Sequence, residues 1–560
     1  MTNVLTLDEN EVSIINKQEF LHTSFGDIFL TSYIKDEKAP ILLVVPGLGW
    51  YHIGPNRSFI QLAEFCADQN IGTILFDYPG LGDSAGICIQ QDINLLSRTF
   101  LFVYKHVKQK YRSEIFILGY GFGNILLTMH ERELHEHKII YYLPEFDYQS
   151  GLPQPTDSCV SGALLDYGAD KAAQNRYLFY KAVYGALHDV TYNPVNYKIV
   201  EEMEQLPTSQ FKSCIDRKGV LIISDRQKED EIKYADYWYI QEFAENQFPK
   251  DWYRVINFWP RTLERLHLDI VRWLGGQVED KRDTSYYGET GEVSLKSVQK
   301  DTYKELIPFT SADQRLYGVL HDCHQGSKKR PCVVYVPGVG GSKIDSYCCG
   351  PRFGEYLASR GIRFFRHDCR NEGTNIKSLS GFNWTDVIED TVNALEQLSS
   401  LIDSERFYYV SWSAGVKTIC VLSKIMPEKI NGSCLWNPIF TDHPQKRDTY
   451  DFVLPKYTKN IRGELVTQAG GEYLGMNYVI DSKKYDFKDM FIHMDSPISV
   501  IWGSTDIHGE DYEFISGCSH IEQTEIITTR HHLFSYDIMD EIFEKTYQWI
   551  KEKEKIYAES

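Results

Sequence analysis

The chain repeats itself at a very long period, which limits its folds more than any other feature. An apolar run ending in a Pro-Gly turn, ILLVVPGLG at Pro46, returns 291 positions later as CVVYVPGVGG at Pro337. A second run ending in aspartate before a glycine loop, TILFDYPGLGDS at Asp77, returns at the same offset as RFFRHDCRNEGTN at Asp368. A third, IFILGYGFGNILL centred on Gly121, returns 292 positions on as FYYVSWSAGVKTI centred on Ser413. A looser fourth pair is GVLIISDRQKED and ISVIWGSTDIHG. Three ordered matches at nearly one offset describe two copies of one unit, each long enough to bury its own core.

The landmark runs are apolar throughout rather than alternating, the pattern of strands covered on both faces of a parallel sheet. Helical spacing fills the gaps: Phe59-Ile60, Leu62-Ala63 and Phe65-Cys66 in the first copy, Phe353 and Tyr356-Leu357 in the second, and an amphipathic stretch from Asp386 to Leu401. Strand and helix in alternation predict an α/β fold, two tandem doubly wound and mostly parallel sheets with right-handed crossovers. The polar stretch GQVEDKRDTSYYGETG predicts a linker at 277–291, between a first domain at 1–276 and a second at 292–560. Inserts at about 145–215 and 440–495, rich in Pro, Tyr and Gly, are expected to lie as caps over the carboxyl edge of each sheet.

Composition narrows the function. With 59 basic against 78 acidic residues the net charge is −19, and Lys and Arg never run beyond pairs or triplets such as Lys328-Lys329-Arg330, so nucleic acid is not an expected partner. The acidic start MTNVLTLDENEVSI is unlike a secretory signal, and the most apolar early stretch, Ile41 to Trp50, is half the length of a membrane span. The 12 cysteines form no C-x-x-C pair and no regular framework, so reduced thiols, Cys348 and Cys349 included, and a soluble cytoplasmic protein are expected.

The chemistry concentrates in the second copy. Ser411-Trp412-Ser413-Ala414-Gly415 sits between a strand, FYYV, and a helix, Val416 to Ile425. A serine centred on such a turn, with small residues two positions to either side, is thrust out over a helix N-terminus. In the usual G-x-S-x-G pattern the first position is glycine; here it is Ser411. A serine hydroxyl needs an imidazole base oriented by a carboxylate, and the chain order on this fold is serine, acid, histidine. Asp506 follows the strand ISVIW, and His531-His532 follow TEIITT. His532 is favoured because it leads directly into the last helix, with His531 as the alternative base. His508 and His520 precede the last strand and belong to the wrong loop. The oxyanion donors are expected to be the backbone N–H groups of Val339, in the PGVGG turn, and of Ala414. Tyr335, Trp412 and Trp436 read as core aromatics, with pocket lining a secondary role. No metal or cofactor is needed, and the partner is a small-molecule or carrier-bound acyl substrate. Water as acceptor makes the site an esterase or thioesterase; an alcohol or amine makes it an acyltransferase. A peptidase would need carboxylates for a free amino group, such as Asp442 or Asp486.

The first copy lacks these parts. Gly121 stands at the nucleophile position, Asp225 and Asp230 are the only candidate acids, and Pro260 and Arg261 stand where a loop histidine is expected, with His267 inside the following helix. It reads as a pseudo-hydrolase, and a chain in which neither copy is catalytic, a binding or scaffold protein, is the contrasting class.

Together these residues resemble the α/β-hydrolase superfamily over nearly the whole chain. YHIGPNRSFIQLAEFCADQNIGTILFDYPGLGDSAG is similar to the serine aminopeptidase-like hydrolases that accompany bacterial exopolysaccharide and exosortase gene sets. SWSAG, LWNPI and GELVTQAGGEYLGM are more distantly similar to the companion hydrolase of those sets. The resemblance implies acyl hydrolysis or transfer, with Ser413, Asp506 and His532 carried over as the triad, and it implies no particular substrate.

Overall fold

In the computed structural model the described residues are 15–54, 57–86, 90–142, 202, 214–224, 232–239, 260–277, 291–312, 314–324, 329–345, 348–441, 458–460, 462–469, 472–504, 506, 508–527 and 536–559. They form an α/β structure with two nine-stranded mixed sheets and one small sheet. The first large sheet contains β1 Ile15–Leu21, β2 Ile28–Ile34, β3 Ile41–Val45, β4 Gly72–Phe76, β5 Ile115–Tyr120, β6 Lys138–Tyr142, β7 Val220–Ser224, β8 Asp236–Tyr239 and β9 Val293–Ser294. Its order is β8-β7-β6-β5-β3-β4-β2-β1-β9.

The second contains β10 Lys296–Val298, β11 Thr302–Ser311, β12 Gln314–Cys323, β13 Cys332–Val336, β14 Arg363–His367, β15 Phe407–Trp412 and β16 Gly432–Trp436. After a three-stranded sheet of β17 Thr458–Lys459, β18 Leu465–Ala469 and β19 Glu472–Gly475, it is completed by β20 Ile498–Gly503 and β21 Ile521–Ile527. Its order is β10-β11-β12-β14-β13-β15-β16-β20-β21. Without β9 and β10 the two orders are the same, and in each the second strand runs antiparallel to both neighbours while the rest of the sheet is parallel.

The apolar runs behave as their composition demands. Every residue of β3, β5, β13 and β15 is buried, because helices cover both faces. The helix expected from Asp386 begins at Trp384, where the Asn383 side chain accepts the Asp386 N–H at 2.8 Å and caps the first turn. The helix expected after the elbow spans Gly415–Ile425. Tyr335, Trp412 and Trp436 are all buried in the core, and no disulfide joins two of the described cysteines. Most of the proposed linker, and of the first insert, lies outside the described residues; β9 joins the first sheet and β10 the second. The described part of the second insert packs on segments that follow β14 and β16: Phe491 meets Phe440 at 5.0 Å between ring centroids, and Ser380 Oγ donates to Glu464 at 2.9 Å.

The two sheets meet through their antiparallel hairpins. Phe20 and Phe29 of the first and Leu306, Tyr317 and Val319 of the second form one small core of their own. The polar contacts around it are reciprocal. Arg57 reaches Gly373 O at 2.9 Å, and Cys348, 291 positions after Arg57, receives the N–H of Gly82, 291 positions before Gly373, at 3.2 Å. Asn16 reaches Asn375 while Lys304, 288 positions after Asn16, donates to Ser84 O, 291 positions before Asn375. One patch thus meets its own repeat, as in a two-fold dimer joined into one chain.

At the centre of this contact Arg366 pairs with Asp83, both side chains at 0% exposure. Arg366 also donates to Lys343 O at 3.0 Å and to His321 Nε2, whose ring burial and the adjacent Arg366 hold well below the usual histidine range, so that it stays a neutral acceptor. Burial alone would raise the Asp83 carboxyl, but Arg366 and Lys343 outweigh it and lower it. A group lowered by folding adds stability above its unfolded value of about 4 and loses it as pH falls through the lower folded value. Asp83→Ala strands a buried guanidinium; a loss of about 3–5 kcal/mol at neutral pH, shrinking as pH drops below about 4, is expected in urea titrations.

Candidate active site

The turn after β15 is set by sterics. A Cβ at Gly415 would lie 2.4 Å from Val336 O and 2.6 Å from Pro337 O, so the helix can start against the end of β13 only with glycine there. Ser413 is forced to φ 54, a left-handed conformation, and its N–H donates to Trp436 O at 2.9 Å while its C=O accepts from Ile439 N at 3.1 Å. From Phe407 to Leu422 it is the one residue that is not buried. The serine is thus the partly exposed point of a rigid, buried frame. Ser411, in place of the usual glycine, is fully buried and accommodated.

The expected oxyanion turn lies beside it. A methyl group at Gly338 would stand 3.0 Å from Ser413 Cβ and 3.4 Å from Ser413 Oγ, which places the Pro337–Gly341 turn in contact with the serine. Gly341 N closes the turn on Gly338 O at 3.0 Å, and Gly340 N donates to Glu372 Oε1 at 2.8 Å. Among the described residues the amides of Val339 and Ala414 have no such partner. Val339, Ala414 and Ser413 are thus brought together.

Asp506 lies just beyond β20, with its N–H on Gly503 O at 3.0 Å and a fully buried side chain. Its Oδ1 accepts both the backbone N–H and the ring Nδ1 of His508, each at 2.8 Å. His508 does precede the last strand, as expected, and the two-residue step folds its imidazole back onto the carboxylate, a contact that the sequence reading did not include. His531 and His532 lie outside the described residues, as does Asp442. His520 is a packing residue, its ring 5.1 Å from that of Phe491 and its protonation disfavoured by burial. Asp486 caps the helix Phe487–Ile492 through Asp489 N.

Asn437 is the link that sequence reading missed. At φ 45, directly after β16, it donates its N–H to Ile501 O at 2.9 Å and accepts Gly503 N on its side-chain oxygen at 2.6 Å. The strand end that holds Ser413 by Trp436 and Ile439 is thereby tied to the turn that carries Asp506. A left-handed asparagine after a strand, in LWNPI, is the only signal that pointed to it.

The first copy keeps the frame without the chemistry. Gly121, at φ 50, donates to Tyr142 O at 3.0 Å as Ser413 does to Trp436 O, and a Cβ at Gly123 would lie 2.4 Å from Val45 O. Gly121 is the one residue between Ile115 and Thr128 that is not buried. His267 is buried inside the helix Pro260–Gln277, against Phe65 at 5.8 Å, and burial lowers it to about 3. Asp225 and Asp230 lie outside the described residues, and of Arg261 only the helical backbone is described.

No family model and no curated protein matches this chain. Solved structures similar to it include Est1E from Butyrivibrio proteoclasticus with ferulic acid bound, at 15% identity and TM-score 0.37 over 44% of this chain and 98% of that one. The α/β hydrolase GrgF from Penicillium sp. sh18 aligns at 12% identity and TM-score 0.36 over 45% and 98%, and the thioesterase domain from the curacin biosynthetic pathway at 10% and 0.30 over 43% and 98%. Among the described residues no helix is long and apolar enough to cross a membrane, and no cluster of His, Cys, Asp or Glu could hold a metal ion.

Replacing Asn437 tests the frame. Asn437→Ala leaves the buried Gly503 N–H unpaired and should cost about 1–3 kcal/mol by thermal denaturation. An unchanged melting temperature would mean that the tie between β16 and β20 is idle.

Proposed function

We propose that this chain is a serine hydrolase of the α/β-hydrolase superfamily, acting on an ester or thioester through an acyl-enzyme. In this reading two domains, 1–276 and 292–560, are joined at 277–291, and only the second is catalytic. The observation that carries the reading is Ser413: a partly exposed serine at φ 54 on an otherwise buried elbow, with the Gly338 turn against it. Ser413 Oγ attacks the acyl carbonyl. His532, or His531 in its place, takes the proton and returns it to the leaving group, while Asp506 holds the imidazole. The Val339 and Ala414 N–H groups receive the oxyanion, and water then opens the acyl-enzyme. The contact between His508 and Asp506 supports the carboxylate's role as a partner of imidazole, with His508 helping to hold it in place.

A fluorophosphonate probe read by intact mass and peptide mapping tests this directly. One adduct at Ser413, absent in Ser413→Ala, is expected; no adduct on the folded protein would favour the non-catalytic class. With p-nitrophenyl esters, His532→Ala should lower kcat by about 10³-fold or more and His508→Ala by only about tenfold. The reverse ranking would assign the base to His508.

The first domain, on this reading, is a pseudo-hydrolase. A Cβ at Gly121 meets nothing within 4 Å, so Gly121→Ser should fold at a cost of about 1–2 kcal/mol for its left-handed backbone. The new serine should stay unlabelled by the probe, because no base accompanies it; labelling there would show that the first domain retains an activating group.

A further inference from the structure

The turn beside Ser413 is not held by its own half alone. Gly340, next to Val339, gives its N–H to Glu372 Oε1 at 2.8 Å. Glu372 is only 3% exposed, and burial drives its carboxyl well above the ordinary range, with the Gly340 N–H and the Arg57 charge opposing. A neutral carboxyl that accepts through its carbonyl oxygen is far less costly to bury than a carboxylate. Glu372 belongs to the loop that follows β14, and that loop is spanned by a residue of the first half. Arg57 donates to Asn371 O at 3.3 Å, Gly373 O at 2.9 Å, Asn375 O at 2.6 Å and Lys377 O at 3.2 Å. The Tyr33 hydroxyl, also from the first half, donates to Thr374 O.

This part of the contact is reciprocal in position but not in chemistry. The counterpart of Arg57 is Cys348, whose thiol receives the Gly82 N–H, and the counterpart of Glu372 in the first copy is Leu81, which has no carboxyl to offer its own turn. Two polar groups that the repeat does not require have been placed in series, leading from the first half to the amide beside Val339. A planar guanidinium on four carbonyls fixes a loop far more tightly than a thiol on one N–H.

We propose that Arg57, supplied by the first half, is a positioning residue for the reaction at Ser413: it fixes the 371–377 loop, whose Glu372 holds Gly340 and so aims the adjacent Val339 N–H at the oxyanion. The proposal rests on Ser413 being the nucleophile, and it gives the half without a nucleophile a task in the chemistry of the other. Loss of one oxyanion donor lowers kcat by about 10²–10³-fold, so a misaimed donor should cost about ten- to a hundredfold.

The test uses the full chain, with p-nitrophenyl butyrate turnover expressed per active site titrated by the fluorophosphonate, alongside hydrogen exchange of the peptide covering 337–341. Glu372→Ala and Arg57→Ala should each lower kcat about ten- to a hundredfold with KM within about twofold, and each should speed exchange at Gly340. Glu372→Gln, which keeps a carbonyl acceptor, should restore kcat to within about threefold, a rescue that loss of folding alone would not show. The double variant should be no slower than the slower single one. If Arg57→Ala fails to fold, Arg57→Lys replaces it: one ammonium cannot serve four carbonyls, so the same loss is expected. Full kcat per titrated site in these variants, or losses that multiply in the double variant, would overturn the proposal. Failure of wild type to form the Ser413 adduct would instead remove the hydrolase reading, and unchanged exchange at 337–341 in the Arg57 variant would still overturn the clamp.

Discussion

The packing of the β1–β2 hairpin against the β11–β12 hairpin is the contact on which the rest of the molecule depends. Each half buries there polar groups that it cannot satisfy by itself: Arg366 needs Asp83, Lys304 needs the carbonyls of Asp83 and Ser84, and Arg57 needs the loop after β14. A buried ion without its partner is strongly destabilising, so these pairs make the halves mutually dependent in a way that a purely apolar contact such as Phe20 and Phe29 on Tyr317 would not. The two-fold character of the contact follows from the repeat, since one patch that suits its own copy needs no second patch.

The elbows show the same scaffold carrying different chemistry. In both halves a glycine two positions past the turn lets a helix start against the backbone end of the central strand, and the turn residue is the one exposed point on an otherwise buried path. The backbone bond that holds it, to Tyr142 O in one half and Trp436 O in the other, is the same. Only the side chain differs. The first half therefore keeps the elbow's geometry with glycine in place of serine, while its surface packs against the second. The Asn437 tie adds a second level of rigidity, since it couples the strand end behind Ser413 to the turn that presents Asp506.

Much of this was readable along the chain because it is local. Fully apolar runs ending in Pro-Gly, Asp or a glycine turn can satisfy their backbone and bury both faces only as central strands, and β3, β4, β5 and their repeats stand where those runs are. The elbow at Ser413 was readable because small residues on both sides of a serine, between a strand and a helix, is a steric pattern, and the turn at Asp506 because it follows an apolar strand. The contact of His508 with Asp506 was not readable for the opposite reason. Position in the chain says which loop a histidine is on, but not that a two-residue step folds its ring back onto Asp506.

By itself, the sequence determined the doubling of the unit, the order of its landmark strands, and which half has a serine at the elbow, since each strand and turn depends on neighbours a few residues apart. The tertiary structure alone decided the contact between the halves, the Asn437 tie and the line from Arg57 through Glu372 to Gly340. Arg57 and Gly373 lie 316 residues apart, and nothing local distinguishes an arginine that reaches four backbone carbonyls from one facing water. Such pairs exist only once both cores have formed, because burial is what turns an ordinary polar side chain into one that must find a partner.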